Sequence, residues 1–422
     1  MRILFVVPYV PNQVHVRSYN LVKTLASRGH QITLATLWSR LDDLPDIARL
    51  AMICHQTVAL PLPKWRSYLN SLLAIATPNP LQSAYCWEPE FARRLGSLID
   101  EQSLEQPFDI IHVEHLRGAR YGLALEQRAM AANFGGTRKP FPPIIWDSVD
   151  NISVLFRQAA VQSRRFLSRL MTRFELSRTQ RYESHLLEQF SHILVTSQND
   201  RKAFIELLPA GGELPEISVI PNGVDSDFFA PCPGVERQPE TLVISGKMSY
   251  HANVTMCLNF ASQVMPLVWA QRPEVKLWLV GKDPSSELVA LGKNPAIKVT
   301  GTVPDIRPYL QQATLAVAPL TYGTGIQNKV LEAMACATPV VSTPQAASAL
   351  AAIPGQDIAV GASPQELAHI ILGLLNDPEK RDRMGRNGKA YIEKNHRWED
   401  IAARLEEVYC GALQNETCLD LR

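Results

Sequence analysis

The stretch ATLAVAPLTYGTGIQNKVLEAMACATPVVST, residues 313–343, holds one complete unit of the pattern that organises the chain. Its opening, ATLAVAPL, is a continuous apolar run, as expected of a strand buried on both faces of a parallel sheet. Gly323 and Gly325 then mark a loop, NKVLEAMACA has helical spacing, and TPVVST is a second apolar strand. Strand, loop, helix and strand in that order form a β-α-β unit. Upstream the same rhythm runs through TLVISGK (241–247), the helix HANVTMCLNFASQVMPLVWAQ, VKLWLVGK (275–282), AIKVTGTV and DIRPYLQQA. The last substantial helix is WEDIAARLEEVYCGAL, residues 398–413.

A separate alternation starts at the amino terminus. RILFVVPYV is a buried strand, VRSYNLVKTLASRGH a helix ending at Gly29, and QITLATLW the next strand. FDIIHVEH (108–115), PPIIWDSVD (142–150) and SHILVTS (191–197) continue the series. Between the two series lies EISVIPNGVDSDFFAPCPGVERQPE, rich in proline and turn residues and read as a linker. The expected fold is therefore α/β, with two doubly wound, Rossmann-like domains at 1–230 and 231–395 and a closing helix at 396–413. Ligands of such sheets bind outside the carboxyl ends of the strands, so a cleft faced by both domains is the expected site.

Composition narrows the function. At 422 residues the chain suits two domains, and a formal charge of +1 argues against a nucleic-acid partner. Seven scattered cysteines form no C-x-x-C pair, which fits reduced thiols in the cytoplasm better than a metal cluster. MRILFVVPYV has a short apolar run and no small-residue cleavage site, so it reads as a strand and not a signal peptide. No apolar stretch approaches the roughly 18 residues of a membrane span. The expectation is a soluble cytoplasmic protein or one peripheral at the inner face of the plasma membrane.

The glycine loop resolves by elimination. A dinucleotide fingerprint needs G-x-G-x-x-G, but Asn328 stands at the third glycine position. A Walker loop needs G-x4-G-K-[ST], against Gly323, Asn328, Lys329 and Val330 here. What remains is a glycine turn feeding a helix amino terminus, which favours an anion, with Lys329 adding a full charge. Glu332 lies three residues on, on the same helix face, where it suits the paired hydroxyls of a ribose better than a phosphate. Lysine for phosphate and glutamate for ribose point to a nucleotide diphosphate. The plainer alternative is an exposed i,i+3 salt bridge.

Taken together, several pieces resemble the family-4 glycosyltransferases of the GT-B fold, especially bacterial enzymes of exopolysaccharide and cell-surface sugar synthesis. They are the P-x-x-P loop at 8–11 with the helix after it, FDIIHVEH, PNGVD (221–225), SGKMSYHANV (245–254), LVGKDP (279–284), VTGTVPDIRPYL (299–310) and the glycine block. The resemblance implies an acceptor site on the first domain and a nucleotide-sugar site on the second. Glu332 would hold the ribose, Lys329 and Lys247 the diphosphate, and the backbone of 302–305 would pass near the base. Asn253, Gly323, Thr324, Gly325 and Gln327 complete the expected donor site. Thr324 stands where relatives often carry a first glutamate. Transfer with retention is implied, and neither cofactor nor metal is expected, because lysines and a helix terminus meet the charge of the leaving diphosphate.

On the first domain, Glu114, His115 and Asp147 end strands and are the catalytic candidates, with loop capping as the alternative. Arg17 and Asn151 are candidates on the acceptor side. In SRRFLSRLMTRFELSR (163–178), Leu167, Leu170, Met171 and Phe174 recur at helical spacing opposite Arg165, Arg169 and Arg173. Such a helix suits either an anionic membrane surface, where a lipid-linked acceptor would lie, or a core stripe under a solvated arginine face. The expected partners are a nucleotide-sugar donor and a saccharide or lipid-linked acceptor. The alternatives are a nucleotide-sugar 2-epimerase and a non-catalytic nucleotide-sugar-binding protein.

Overall fold

The protein is described by a computed structural model covering residues 1–12, 15–102, 107–133, 141–162, 166–209, 211–212, 214–323 and 325–419. It divides into two compact units, Met1–Pro221 with Ile401–Arg422, and Asn222–Asp400. In the first unit, seven strands form a wholly parallel sheet: β1 (Arg2–Val7), β2 (Gln31–Trp38), β3 (Gln56–Pro61), β4 (Ile110–Glu114), β5 (Ile144–Val149), β6 (His192–Val195) and β7 (Glu216–Val219). Their order is β3-β2-β1-β4-β5-β6-β7. The chain winds outward from β1 to β3, then returns to place β4 against the other side of β1. That reversal between β1 and β4 is the switch point where a doubly wound sheet opens a crevice. Apolar side chains on both sheet faces make this possible. Leu4, Val6, Ile111, Val113 and Trp146 are fully buried in one continuous core with Phe190 and Phe204.

In the second unit, β8 (Gln238–Ser245), β9 (Lys276–Val280), β10 (Ile297–Val299), β11 (Ala313–Ala318), β12 (Val340–Ser342) and β13 (Ala359–Val360) are also all parallel. Their order is β10-β9-β8-β11-β12-β13, which puts the switch point between β8 and β11. Every residue of β11 is buried, as its unbroken apolar run requires.

The stretch read as a linker is more structured than its prolines suggest. Its first residues form β7 on the edge of the first sheet, and the chain passes to the second unit at Pro221, not at 230. There the PNGVD segment is fixed: Val224 N–H donates to His396 O at 2.8 Å, and the His396 ring meets Asn222 O at 2.7 Å. The closing helix spans Trp398–Leu419 and belongs to the first unit from Ile401 on. It is tied there by Glu406 to Arg28 and His30, and by the Tyr409 hydroxyl to His112 at 2.8 Å. The 163–178 segment lies mostly in the Phe166–Gln189 helix, though the side chains of Arg165, Leu167 and Arg169 fall outside the described residues. Leu170, Met171 and Phe174 are exposed, so the core-stripe alternative does not hold for them. Among the described residues, no helix is long and apolar enough to cross a membrane.

Candidate functional site

In the second unit the candidate residues converge on the carboxyl ends of β8, β9 and β11, beside the switch point. The chain leaves β11 through a loop in which Gly325 has φ +68, a left-handed conformation that favours glycine, and enters the Asn328–Ala335 helix. The buried Tyr322 accepts or donates a 2.8 Å bond with the His251 ring and stacks on it, while the Gln345 amide donates to Gly323 O at 2.6 Å. These contacts pin the loop. Thr324 lies outside the described residues.

Lys329 is the second residue of that helix. Its ammonium donates to Asn253 Oδ1 at 2.6 Å, and the Asn253 amide donates in turn to Lys247 O at 2.9 Å. The segments after β8 and β11 are thereby joined around one cation. Packing is closest at Gly281, where a Cβ would lie 1.8 Å from Gly246 O. Burial brings the Lys329 ammonium down to about 8, against the opposing pull of Cys257 and Glu332. Burial also raises the Glu332 carboxyl to about 7, with Lys329 opposing. The two side chains form no ion pair, and the Glu332 carboxyl has no hydrogen-bond partner among the described residues, although its backbone carbonyl accepts the Cys336 N–H at 3.1 Å. The surface salt-bridge alternative therefore fails. Lys247 is exposed, and Gln327 heads the helix without capping it through its side chain.

A cavity of about 690 Å³ bounded by Lys276, Trp278, Lys298 and Tyr309 lies elsewhere, by the amino-terminal ends of β8 to β10. It includes neither Lys329 nor Glu332, and ligands of parallel sheets use the opposite edge.

In the first unit, the residues near the β1–β4 switch point form a buried network. Glu114 ends β4 and accepts hydrogen bonds from the Tyr9 and Ser18 hydroxyls, each at 2.6 Å. Burial and the nearby Asp147 charge raise its carboxyl to about 7. His115 follows with φ +68, which turns its side chain out of the strand. Its Nδ1 accepts the Arg117 N–H at 3.2 Å, so the ring hydrogen sits on Nε2. Burial, then Arg117, brings its pKa down to about 3, so the ring is neutral at pH 7 and offers a donor, not a base.

Asp147 and Arg17 differ from the sequence expectation. The carboxylate takes Arg17 Nε at 2.8 Å and Nη2 at 2.7 Å, and both side chains are buried. Arg17 also donates to Ile220 O at 2.9 Å. Burial raises the Asp147 carboxyl, but Arg17 and His112 outweigh it and hold the acid below its ordinary range. These two groups are occupied with each other, as a strut from the first helix to β5. Asn151 likewise serves the chain: its Oδ1 accepts the Val154 N–H at 2.9 Å and the Ser153 hydroxyl at 2.8 Å, capping the Ile152–Gln162 helix. Tyr9 and Ser18 were not legible as partners of Glu114, because only the fold brings them within reach.

Residues 14–228 match the family model described as Glycosyltransferase Family 4, and 239–377 match that described as Glycosyl transferases group 1. Among curated proteins, the chain is 26% identical over 223 residues to the GDP-mannose-dependent monoacylated alpha-(1-6)-phosphatidylinositol monomannoside mannosyltransferase of Corynebacterium glutamicum, covering 47% of this chain and 57% of that one. It is 28% identical over 212 residues to the MMP alpha-(1->4)-mannosyltransferase of Mycolicibacterium hassiacum, covering 47% and 49%. The chain thus spans about half the length of the curated relatives it matches. Among solved structures, sucrose-phosphate synthase from Thermosynechococcus elongatus superposes with a TM-score of 0.68 at 18% identity, over 98% of this chain and 100% of that one. Anabaena HepE in complex with UDP-glucose superposes at 0.65 and 16% identity, over 97% and 100%. These likenesses show a shared two-domain α/β fold, the GT-B architecture.

Proposed function

The chain belongs to glycosyltransferase family 4, and on that premise we propose that it moves a sugar from a nucleotide-diphosphate sugar to a hydroxyl of a saccharide or lipid-linked saccharide, with retention, in cell-surface polysaccharide or glycoconjugate synthesis. The observation that carries this is the Lys329–Glu332 arrangement. A partly buried cation stands in the first turn of a helix, with an unpartnered carboxyl one turn on and no ion pair between them.

In the proposed step, the bond from the anomeric carbon to the diphosphate oxygen breaks and a bond to the acceptor oxygen forms on the same face. The acceptor proton passes to the departing phosphate oxygen. Negative charge grows on the diphosphate, where the Lys329 ammonium and the helix N–H groups stabilise it most. The Glu332 carboxylate accepts from the ribose hydroxyls, and Lys247 adds a second cation to the same end. No metal or other cofactor enters the step, because these groups already oppose the developing charge. His115 offers its Nε2–H to an oxygen of the acceptor or sugar. Both curated relatives named above are transferases, which favours transfer over epimerisation. The donor and the reduced cysteines suit the cytoplasm or the inner face of the plasma membrane.

A thermal-shift panel of UDP, GDP, ADP and dTDP sugars tests the donor site, since a bound ligand stabilises the fold by mass action. One base series should raise the melting temperature, and Lys329→Ala and Glu332→Ala should each abolish the rise while remaining folded. Variants that bind every nucleotide as the unaltered protein does would remove the assignment.

A further inference from the structure

The Lys64–Ala74 helix is packed the wrong way round for a soluble protein. Its serines face inward: Ser67 is buried, Ser71 donates to Ser67 O, and the Asn70 amide donates to Trp87 O at 2.8 Å. Its apolar side chains face out. Trp65 (63% exposed), Tyr68 (64%), Leu69 (43%), Leu72 (64%) and Leu73 (63%) recur at i, i+3, i+4, i+7 and i+8, a single stripe along the solvent side. Contiguous exposed apolar patches of this kind mark interaction surfaces.

The stripe continues onto a second element. Arg178 of the Phe166–Gln189 helix donates to the carbonyls of Ala74, Thr77 and Asn79, and Glu175 accepts the Leu81 N–H at 2.8 Å. One turn earlier stand the exposed Phe174, Met171 and Leu170, with Phe174 under the Arg178 guanidinium. Ile75, which follows Ala74 at the helix end, is exposed as well.

Charge identifies the occupant. Residues 55–87 and 151–174 contain no aspartate or glutamate. Of their described cations, Lys64, Arg157 and Arg173 are exposed, and Arg66 pairs with the buried Glu88. A second copy of the chain would oppose like charges across such a face, whereas an anionic bilayer complements it. Tryptophan and tyrosine beside leucines are the side chains that settle at a membrane interface. We propose that the Lys64–Ala74 helix and the adjoining turns of the Phe166–Gln189 helix dock this chain on an anionic lipid surface. The proposal deepens the transfer reading, for which a lipid-linked acceptor would lie at that surface, but uses none of the donor residues.

Flotation of the full chain tests it, with vesicles of phosphatidylcholine alone and of phosphatidylcholine with phosphatidylglycerol. The chain should float with the anionic vesicles at least about tenfold better than with the neutral ones. Leu69→Glu/Leu72→Glu and, separately, Lys64→Glu/Arg173→Glu should each lose about that factor, with circular dichroism unchanged. Trp65→Ser/Tyr68→Ser keeps the test decisive if the glutamates disturb folding. Absence of flotation, or equal flotation of the apolar variants, overturns the proposal. So does a dimer, detected by light scattering, that the same variants dissociate while no vesicle is bound. The nucleotide thermal-shift panel on the same proteins separates the two readings: flotation without any nucleotide response sinks sugar transfer and leaves the docking surface standing.

Discussion

Glu332→Gln should make the unliganded protein more stable at pH 8 while destroying its response to nucleotide. Burial lifts this carboxyl from 4.5 to about 7, with only Lys329 opposing. At about 1.4 kcal/mol per pKa unit, the ionised side chain costs roughly 3 kcal/mol in the folded state, an upper limit because the group is partly exposed. The sign follows from linkage. The folded protein binds this proton more tightly than the unfolded chain, so stability falls as pH rises from 4.5 towards 7 and levels off above. Glutamine keeps the shape and removes the charge, so its advantage should be near zero at pH 4.5 and fullest at pH 8. For a unit of this size 1 kcal/mol is worth about 2–4 °C, which makes a rise of several degrees measurable by differential scanning fluorimetry. Ribose hydroxyls donating to the carboxylate favour its charged form, so nucleotide binding near pH 6.5 should release protons, seen as a buffer-dependent calorimetric enthalpy. A glutamine variant that is less stable at pH 8, or that still responds to the donor nucleotide, would refute the reasoning.

The strut in the first unit should behave in the opposite way. Asp147→Asn leaves the Arg17 guanidinium buried without its counter-charge and should cost about 3–5 kcal/mol in urea unfolding; a loss below about 1 kcal/mol would mean the pair is dispensable. Gly281→Ala forces a Cβ into the Gly246 carbonyl, so the melting temperature and the nucleotide response should fall together; unchanged values for both would show that the loops are not held as described. His115→Ala should lower the transfer rate by about 100-fold with nucleotide stabilisation intact, on the scale of losing one positioned hydrogen-bond donor at a reacting centre. An unchanged rate removes His115 from the site.

Much of the fold could be read because strands buried on both faces advertise themselves as unbroken apolar runs, β1 and β11 most clearly. The strands that escaped are those without such a run. β3, QTVALP, is only partly buried, β13 is two residues long, and β7 sits against a proline-rich segment that imitates a linker. The Lys329–Glu332 motif was readable because both residues lie on one helical turn, where spacing alone decides proximity. The Arg17–Asp147 pair was not, since its members are separated by 130 residues and meet only through the sheet order. In sequence each is a candidate for meeting substrate; in the structure each is buried against the other.

The outward-facing helix at 64–74 carries the same lesson further. A stripe at 65, 68, 69, 72 and 73 states that a helix has two faces, but an apolar face looks the same in sequence whether it meets a core or a bilayer. Two other facts separate the cases. The opposite face holds small polar residues that can bury by bonding to backbone, as Ser71 and Asn70 do. The neighbourhood also lacks acids over 33 residues, 55–87, in a chain whose overall charge is only +1. The nearest acids, Glu88 and Glu175, are buried in pairs with Arg66 and Arg178, so neither presents its charge on this surface. A core stripe has no need of that exclusion, because its flanks meet water, whereas a face pressed against anionic headgroups does.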